Sequence, residues 1–320
     1  MTREAVAIAH PNVALSKYWG KRPGEGNVPA VPSLSVTLAG LTTRTRLRWD
    51  AALPDHRFVL DGKAHERAAA PKVFAFLDLM ARAQAVGASA DVESRNDFPT
   101  ASGLASSASG FAALALAGVR ANGCDWDATR VADLARRGSA SAARSLFGGF
   151  VELDGELARP VAPADHLPLV VLVCVTTESP KAVASSEGMV VTMERSPYAK
   201  AWLEDAPRIH ARLREALIAR DFHRVGELAE ASALAMHASA IAAGVVYWNG
   251  VTIDTLAAVR SLRAAGTAAY ATVDAGPHVK VLVPPGETAV ALGALRGVPG
   301  IVRVIEARPG PGAAIEGGAR

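Results

Sequence analysis

A chain of 320 residues that is 50% hydrophobic and 20% charged is long enough for one large domain or two smaller ones, and its composition excludes global disorder. A net charge of only +3, scattered arginines and 5% aromatic residues argue against nucleic-acid binding. The two distant cysteines exclude a disulfide framework, no apolar run reaches the ~18 residues that span a bilayer, and the first residues do not resemble a signal peptide, so we expect a cytoplasmic protein without a membrane partner.

Apolar periodicity predicts the order of strands and helices along the chain. In the first half, strands are predicted at 4–10, 34–48, 57–61, 89–95 and 148–154, and helices at 67–86, 107–122 and 127–145. In the second half, strands are predicted at 168–176, 268–273, 278–283 and 300–305, and helices at 186–195, 206–219, 221–240, 251–265 and 287–295. Strands and helices mix without strict alternation, which favours an α+β fold over a doubly wound sheet.

The proline-rich segment 160–168 interrupts this order and is predicted to separate two domains, residues 1–166 and 167–320. No internal repeat is visible in the chain. The end after about residue 306 is rich in glycine, proline and alanine, and it is predicted to be partly flexible.

The segment Asn96–Gly110 contains Pro99, Gly103 and the adjacent Ser106 and Ser107, and it leads directly into an alanine-rich helix. Free N–H groups and the dipole at a helix N-terminus favour an anion, glycine lets the backbone approach a phosphate closely, and serine supplies hydroxyl donors. No Gly-Lys-Ser/Thr sequence follows, so the loop is not of the Walker type. A glycine- and serine-containing segment followed directly by a helix predicts a phosphate-binding loop. The alternative is a flexible loop with a serine N-cap.

A short basic turn places Lys17 and Lys21 on either side of Tyr18, Trp19 and Gly20. Two ammonium groups and a phenol beside a glycine turn are suited to a diphosphate, because lysine acts as a point charge on phosphate oxygens. The alternative is a solvated basic turn, although an adjacent tyrosine and tryptophan are usually buried or functional.

A third block surrounds Gly138, with Ser139 and Ser141 before Arg144. If residues 141–144 are helical, Ser141 and Arg144 share a face, and hydroxyls beside a guanidinium match a carboxylate or a phosphate. The alternative is a helix kink with a surface arginine.

Asp274 ends an apolar strand and is followed by a tight Ala-Gly-Pro turn. A carboxylate in that position is held rigidly at the mouth of a loop, where catalytic residues are common. An Asx-turn residue is the alternative. His237 lies on a helical pattern and is expected to pack or to cap rather than to act as a catalyst.

Several motifs together resemble one enzyme family, and they occur in the family's order over most of the chain. The matching motifs are Asn12–Lys21, Pro32–Leu38, Asn96–Gly110, Gly138–Gly149, Ser185–Met189, Met236–Ala238, Tyr247–Asn249 and Asp274–Pro277. They are similar to those of the diphosphomevalonate decarboxylases of the GHMP kinase superfamily. The resemblance implies a GHMP fold, with a left-handed βαβ unit in the N-terminal domain, a ferredoxin-like C-terminal domain, and an active site in the cleft between them.

The resemblance also implies a reaction. ATP phosphorylates the tertiary hydroxyl of diphosphomevalonate, phosphate and CO₂ then leave, and isopentenyl diphosphate forms. The resemblance implies that Asp274 lies next to that hydroxyl as a base or as an orienting group. It also implies that Lys17 neutralises the transferred phosphate and that Arg144 holds the carboxylate.

The remaining site residues are likewise implied by the resemblance. The substrate-binding set is Tyr18, Trp19, Gly20, Lys21, Ser139, Ala140, Ser141, Ala142, Ala143, Arg144, Ser185 and Ser186. The ATP-binding set is Asn96, Ser102, Gly103, Leu104, Ala105, Ser106 and Ser107, with Mg²⁺ carried on the phosphates beside Ser106 and Ser107. A homodimer is expected. Ser186 departs from the arginine of many bacterial members, and Lys72 is a candidate for a further cation.

Two other readings stay open at the level of sequence. The first is a relative that uses monophosphorylated or unphosphorylated mevalonate, as a phosphomevalonate decarboxylase or a mevalonate 3-kinase, and the presence of both Lys17 and Asp274 favours a complete decarboxylase over a kinase. A non-catalytic sensor on a GHMP fold belongs to a different class, and the presence of Asp274 and of the phosphate loop argues against it.

Overall fold

The computed structural model describes residues 3–24, 26–98, 106–179 and 182–317. The first half comprises β1 (Arg3–Ala9), β2 (Asn12–Ser16), β3 (Ser33–Ala39), β4 (Thr43–Asp50), β5 (Arg57–Leu60), β6 (Lys63–His65), α1 (Pro71–Ala83), β7 (Ser89–Asn96), α2 (Ser106–Ala121), α3 (Ala128–Gly138), α4 (Ala142–Ser145), β8 (Phe150–Asp154) and β9 (Leu157–Ala162). The second half comprises β10 (Val170–Val175), α5 (Ser185–Arg195), α6 (Ala199–Ile218), α7 (Phe222–Ala242), α8 (Gly250–Ala264), β11 (Tyr270–Val273), β12 (Val279–Val283), a 3-10 turn (Pro285–Glu287), α9 (Thr288–Arg296), β13 (Arg303–Pro309) and β14 (Ala314–Ile315).

One sheet has the strand order β14-β1-β4-β7-β5-β6 and is antiparallel except where β5 pairs with β7. Helix α2 lies on β1 and β4 and is buried along most of its length, which its small alanines permit. The indole N–H of Trp49 in β4 donates to the carbonyl of Gly118 in α2 over 2.9 Å. This contact fixes the helix on the sheet and therefore fixes the position of its N-terminus.

A second sheet crosses both halves of the chain, in the order β11-β12-β10-β13-β3-β8-β9, with β2 paired to β3. Strand β13 pairs with β10 on one side and with β3 on the other, so it joins the halves into one sheet. Along β10, Val171 and Val173 pack with the residues of α6 and α7, whereas Val170 and Leu172 pack with those of α8 and α9. Both faces are covered, which explains the unbroken apolar run of this strand.

The predicted α+β composition agrees with these elements, but several boundaries differ. The predicted strand 34–48 is two strands, because the chain reverses at Gly40 with φ +84°. The predicted helix 127–145 divides into α3 and α4, and a Cβ atom on Gly138 would collide with the ring of Phe111. Helix α6 begins at Ala199, seven residues before the prediction, and continues through Pro207.

Residues 306–317, which lie in the predicted flexible tail, contain strand residues. Strand β13 reaches Pro309, and β14 pairs antiparallel with β1. Glycine serves here for close packing, since a Cβ atom on Gly312 would lie 2.6 Å from the carbonyl oxygen of Leu146. Composition alone does not reveal such pairing with distant strands. No helix in the described ranges is both long and apolar enough to cross a membrane.

Candidate active site

Two lysines flank the carboxylate of Asp274. Lys17 Nζ lies 2.6 Å from Asp274 Oδ1, and Lys280 Nζ lies 3.2 Å from Asp274 Oδ2. Both lysines are buried, and the Asp274 side chain is 23% exposed. The Asp274 side chain is therefore partly exposed, while two ammonium groups compensate its charge from within the protein.

The backbone around these groups is fixed by several elements. Lys17 directly follows β2, and its N–H donates to Ser232 Oγ of α7 over 2.9 Å. Its ammonium also donates to the carbonyl of Ala14 over 2.8 Å. Asp274 directly follows β11, and its carbonyl accepts from Gly276 N over 2.7 Å in the predicted tight turn. The site thus lies where a strand of the first half meets a strand end of the second.

The protonation states follow from burial and charge. Burial lowers the pKa of Lys17 to about 8, although the charge of Asp274 opposes this change. Burial by itself raises the pKa of Asp274, but Lys17 and Lys280 outweigh that effect and hold this pKa well below the usual range of an aspartate. At neutral pH Asp274 is therefore an anion that binds protons very weakly.

Arg144 has a different environment, in which its partners are neutral. Its Nε donates to Ser35 Oγ over 2.9 Å and its Nη1 to Ser33 Oγ over 2.8 Å. Its Nη2 donates to Asn12 Oδ1 over 3.3 Å, and Asn12 Nδ2 in turn donates to Ser145 Oγ over 2.7 Å. Burial lowers the pKa of Arg144 to about 10, which leaves the guanidinium cationic at neutral pH.

No carboxylate of the described residues lies within salt-bridge distance of Arg144, although the side chain is only 2% exposed. A buried cation without an anionic partner is unfavourable unless a ligand supplies the charge. The charge of Arg144 lowers the pKa of Lys17, and the charge of Asp274 raises the pKa of Arg144, so these three groups lie near one another. This part of the site therefore holds the three cations Lys17, Lys280 and Arg144 but only the carboxylate of Asp274 among the described residues, and this excess of positive charge favours an anionic ligand. The burial of Arg144 also contradicts the alternative of a surface arginine.

The small residues around Arg144 divide into two groups. Ser139 and Ser141 are half-buried, with their hydroxyl oxygens 3.2 Å apart. Ala140, Ala142 and Ala143 are buried in the core, and α4 packs against α2 and α3 there. The serines can therefore offer side-chain hydroxyls to a ligand, whereas the alanine side chains contribute packing.

In the basic turn, Gly20 adopts φ +97° and Lys21 Nζ donates to Asn27 Oδ1 over 2.6 Å. Asn27 Nδ2 donates to the carbonyl of Arg137 over 2.8 Å, which connects the turn with the end of α3. Burial lowers the pKa of Lys21, and the charge of Lys72 lowers it further. Two ammonium groups thus lie close together beside the turn.

The two aromatic residues of the turn have different positions. Trp19 is fully buried, its ring meets Tyr247 edge-on, and its carbonyl accepts from the indole of Trp202 over 2.9 Å. Tyr18 is half-buried, and among the described residues its buried hydroxyl has no hydrogen-bond partner. Burial raises the pKa of Tyr18, so the phenol is available as a neutral donor.

Lys72 and Ser186 come from separate helices and meet at this end of the site. Lys72 Nζ, from the first turn of α1, donates to Ser186 Oγ of α5 over 2.9 Å. Ser185 precedes it at the start of α5 and is half-buried. The ammonium group of Lys72 therefore contacts position 186, where this chain has a serine in place of an arginine.

Comparisons with known proteins find similarity along most of the chain. Residues 9–159 match the profile of the diphosphomevalonate decarboxylase-like N-terminal domain, and residues 171–302 match that of the mevalonate 5-diphosphate decarboxylase C-terminal domain. The Homo sapiens diphosphomevalonate decarboxylase is 34% identical over 87% of this chain and 76% of its own length. The chain belongs to the diphosphomevalonate decarboxylase family.

Solved structures of this family have the same fold. The Staphylococcus aureus mevalonate diphosphate decarboxylase superposes with a TM-score of 0.93 at 32% identity, over 98% of each chain. A structure of MDDEF in complex with MVAPP, AMPPCP and magnesium superposes with a TM-score of 0.91 at 37% identity, over 98% of this chain and 99% of its own. These matches confirm the predicted α+β fold class.

The nucleotide side of this family member is described only in part. The predicted contacts Ser102, Gly103, Leu104 and Ala105 lie outside the described residues. A largely apolar cavity of about 170 Å³ adjoins the N-terminus of α2 and the first sheet, and it is lined by Thr43, Thr45, Phe58, Leu60, Val73, Val92, Ser94, Asn96, Ser106, Ser107, Gly110, Phe111 and Leu114. An apolar cavity beside a helix N-terminus suits a flat base with a phosphate chain.

Sequence reasoning missed Lys280, which lies in the apolar run Val279–Val283. A single lysine between valines, six residues after Asp274, was the available signal, because lysine is rarely buried without an anionic partner. It also missed Asn12, Ser33 and Ser35 as the partners of Arg144, although the family motifs include all three.

Proposed function

We propose that this protein catalyses the ATP-dependent decarboxylation of diphosphomevalonate to isopentenyl diphosphate, with ADP, phosphate and CO₂ as the other products, in the mevalonate pathway. The observation that carries this proposal is the buried Arg144, a cation whose hydrogen-bond partners within the described part of the chain are neutral and which lies near the Lys17–Asp274 pair. A substrate with a carboxylate and a neighbouring hydroxyl satisfies both groups at once. The MDDEF complex with MVAPP and an ATP analogue supports the same assignment.

Arg144 holds the substrate carboxylate, with Ser139 and Ser141 beside it. The hydroxyl next to Asp274 attacks the γ-phosphorus of ATP and becomes a phosphate ester, while ADP leaves and the hydroxyl proton is released to solvent. The carbon–oxygen bond of that ester then breaks and phosphate departs. The electrons of the bond to the carboxylate form the new double bond, and CO₂ is released.

Asp274 acts mainly by orienting the hydroxyl and by stabilising the positive charge that develops on the tertiary carbon. Its strongly lowered pKa makes it a weak base. Phosphoryl transfer depends chiefly on alignment and charge, so an oriented hydroxyl can lose its proton late in the step. Lys17 supplies positive charge to the transferred phosphoryl group.

The diphosphate end of the substrate lies at the basic turn. Lys21, the Tyr18 hydroxyl and Lys72 beside Ser186 provide two cations and two hydroxyl groups. Lys72 takes over part of the role that an arginine at position 186 has in many bacterial relatives. We therefore propose diphosphomevalonate rather than the monophosphate as the preferred substrate.

Mg²⁺ enters the proposal together with ATP. Within the described ranges no group of three or more His, Cys, Asp or Glu side chains could hold a metal ion. The serine hydroxyls of Ser106 and Ser107 at the start of α2 fit a metal ion that phosphate oxygens already coordinate. When bound, Mg²⁺ neutralises charge on the transferred phosphoryl group.

Domain division and assembly are further parts of the proposal. A boundary near residue 166 is supported by the two family profiles, which end at residue 159 and begin again at residue 171. Strand β13 then belongs to the second domain but extends the sheet of the first. We propose a cytoplasmic homodimer, and light scattering on the purified protein measures the oligomeric state.

Lys21→Ala is expected to weaken the apparent binding of diphosphomevalonate by roughly tenfold, as one charge-assisted contact contributes about 1.5–3 kcal/mol and Lys21 is partly exposed. Unphosphorylated mevalonate lacks the contacted group, so its KM should change little. Steady-state kinetics on both substrates measure the difference. Lys63→Ala, a lysine in the hairpin strand β6, is the control. Equal losses on both substrates would assign Lys21 to ATP or to the fold.

The activity itself is tested by incubating purified protein with ATP, Mg²⁺ and, separately, mevalonate, its monophosphate and its diphosphate, while CO₂ and ADP are measured. We expect equal amounts of CO₂ and ADP, with the highest kcat/KM for the diphosphate. ADP without CO₂ would identify a 3-kinase, preference for the monophosphate would identify a phosphomevalonate decarboxylase, and neither product would favour a non-catalytic sensor.

A further inference from the structure

Lys280 is a buried cation that the reaction described above does not use. It lies in the middle of β12, directly opposite Thr272 of β11, and its ammonium is 3.2 Å from Asp274 Oδ2 and 3.4 Å from the carbonyl of His278. Its strand neighbours Val279 and Val281 pack on the opposite face of the sheet. On its own face the next residue, Leu282, is in the apolar core.

An apolar side chain would satisfy the packing of this position. Removing an ammonium group from water costs several kcal/mol unless an anion compensates. The carboxylate of Asp274 is that anion, and it already has a shorter contact with Lys17. Lys280 therefore has a role that the ion pair between Lys17 and Asp274 does not fulfil by itself.

Lys17 has two tasks that conflict. In the present structure it is the closest cation to Asp274, at 2.6 Å, whereas in the reaction its charge is needed by the transferred phosphoryl group. If Lys17 turned toward that phosphate with no other cation present, Asp274 would be left as a largely buried carboxylate without a counter-ion. Its pKa would then rise and its orientation would be lost.

We propose that Lys280 is a positioning residue that remains paired with Asp274 throughout the reaction and so frees Lys17 for the phosphoryl group. Lys280 approaches Oδ2 and Lys17 approaches Oδ1, so the two cations occupy different oxygens and one can leave without displacing the other. The short rigid strand β12 keeps the Lys280 ammonium at its place. Because it acts through Asp274, Lys280 affects catalysis rather than substrate binding.

This inference rests on the proposed function, and it is tested with Lys280→Met, which keeps an unbranched side chain only one atom shorter and removes the charge. We expect kcat for ADP release to fall by roughly 10- to 100-fold, with KM for ATP and for diphosphomevalonate changed less than about threefold. Lys280→Gln retains a polar end and serves as the second variant if the methionine variant does not fold. Melting temperatures establish folding for each.

A double-mutant cycle with Asp274→Asn distinguishes positioning from a structural role. If Lys280 acts through Asp274, adding Lys280→Met to Asp274→Asn should cost less than about twofold, because the carboxylate that it positions is gone. A second loss as large as the first would overturn the inference. Leu282→Ala, on the same face of β12, is the control: it should lower the melting temperature, and its loss in kcat should multiply with that of Asp274→Asn.

The same cycle separates failure of this inference from failure of the proposed function. ADP without CO₂ from the wild-type protein would contradict the decarboxylation. The double-mutant cycle could still be measured on ADP release, because phosphoryl transfer takes place beside Asp274. If Lys280→Met then caused no further loss in the Asp274→Asn background, the role of Lys280 would still be supported. A wild-type protein that forms no ADP would overturn both, and CO₂ release with additive losses would overturn only the role of Lys280.

Discussion

Asp274→Asn is expected to reduce turnover by at least ~100-fold while the protein stays folded and binds nucleotide normally. The substitution keeps the size of the side chain but removes the negative charge that pairs with Lys17 and Lys280. The substrate hydroxyl then loses its orienting group, and the developing positive charge loses its stabilising anion. Single-turnover measurements of ADP and CO₂ formation, together with nucleotide titration, measure the two effects separately.

Asp254→Asn makes the same change of charge at an exposed position on α8 and is the matched control. It should leave turnover within a factor of about two, because exposed substitutions away from the site have small effects. A folded Asp274→Asn variant with near-normal turnover would mean that Asp274 only stabilises the tight turn. The proposed role of Asp274 in orienting the hydroxyl and stabilising the developing positive charge would then be wrong.

Arg144→Ala is expected to lower kcat/KM on the order of 100-fold for every substrate that the enzyme accepts. All three candidate substrates carry the carboxylate, so the loss should not depend on the number of phosphate groups. The same change also leaves Ser33, Ser35 and Asn12 without their donor, which should lower the melting temperature. Kinetics on the three substrates and thermal unfolding are both required.

Arg159→Ala is the control for the general loss of an arginine. Arg159 lies on β9 and pairs with Glu152 of β8, and among the described residues no side-chain hydrogen bond joins this pair to Arg144 or to the hydrogen-bond partners of Arg144. The substitution should affect stability without a comparable loss of kcat/KM. A loss for Arg144→Ala that is confined to the diphosphate would place the diphosphate, not the carboxylate, at Arg144, and the orientation of the substrate would be reversed.

Much of the fold was predictable because apolar periodicity is a local property. The helices α2, α7 and α8 and the strands β10 and β12 lie within a few residues of their predicted positions. The strands β2 and β9 were missed although they are as long as β12 and β10, since neither has a clear alternation or an unbroken apolar run and each is held by pairing with a neighbouring strand. The same reason accounts for β14.

The candidate site was predictable to the extent that its residues lie in short motifs. Lys17 and Asp274 are 257 positions apart in the chain, and only the resemblance to the family indicated that they meet. The contact of Lys72 with Ser186 depends on how two helices pack in three dimensions, so no local pattern indicates it. For Lys280 the lone lysine in an apolar strand was a local sign of burial, but that pattern does not show that Asp274 is its partner. The predicted phosphate contacts at 102–105 remain a prediction.

In the proposed mechanism, the tertiary hydroxyl oxygen leaves as phosphate after ATP has phosphorylated it. Diphosphomevalonate labelled with ¹⁸O in that hydroxyl tests the claim directly, with the phosphate analysed by mass spectrometry. Phosphoryl transfer followed by cleavage of the carbon–oxygen bond predicts one ¹⁸O atom in the inorganic phosphate for each CO₂ released. Release of CO₂ with the label in water, or with the label retained in the organic product, would contradict the proposed reaction.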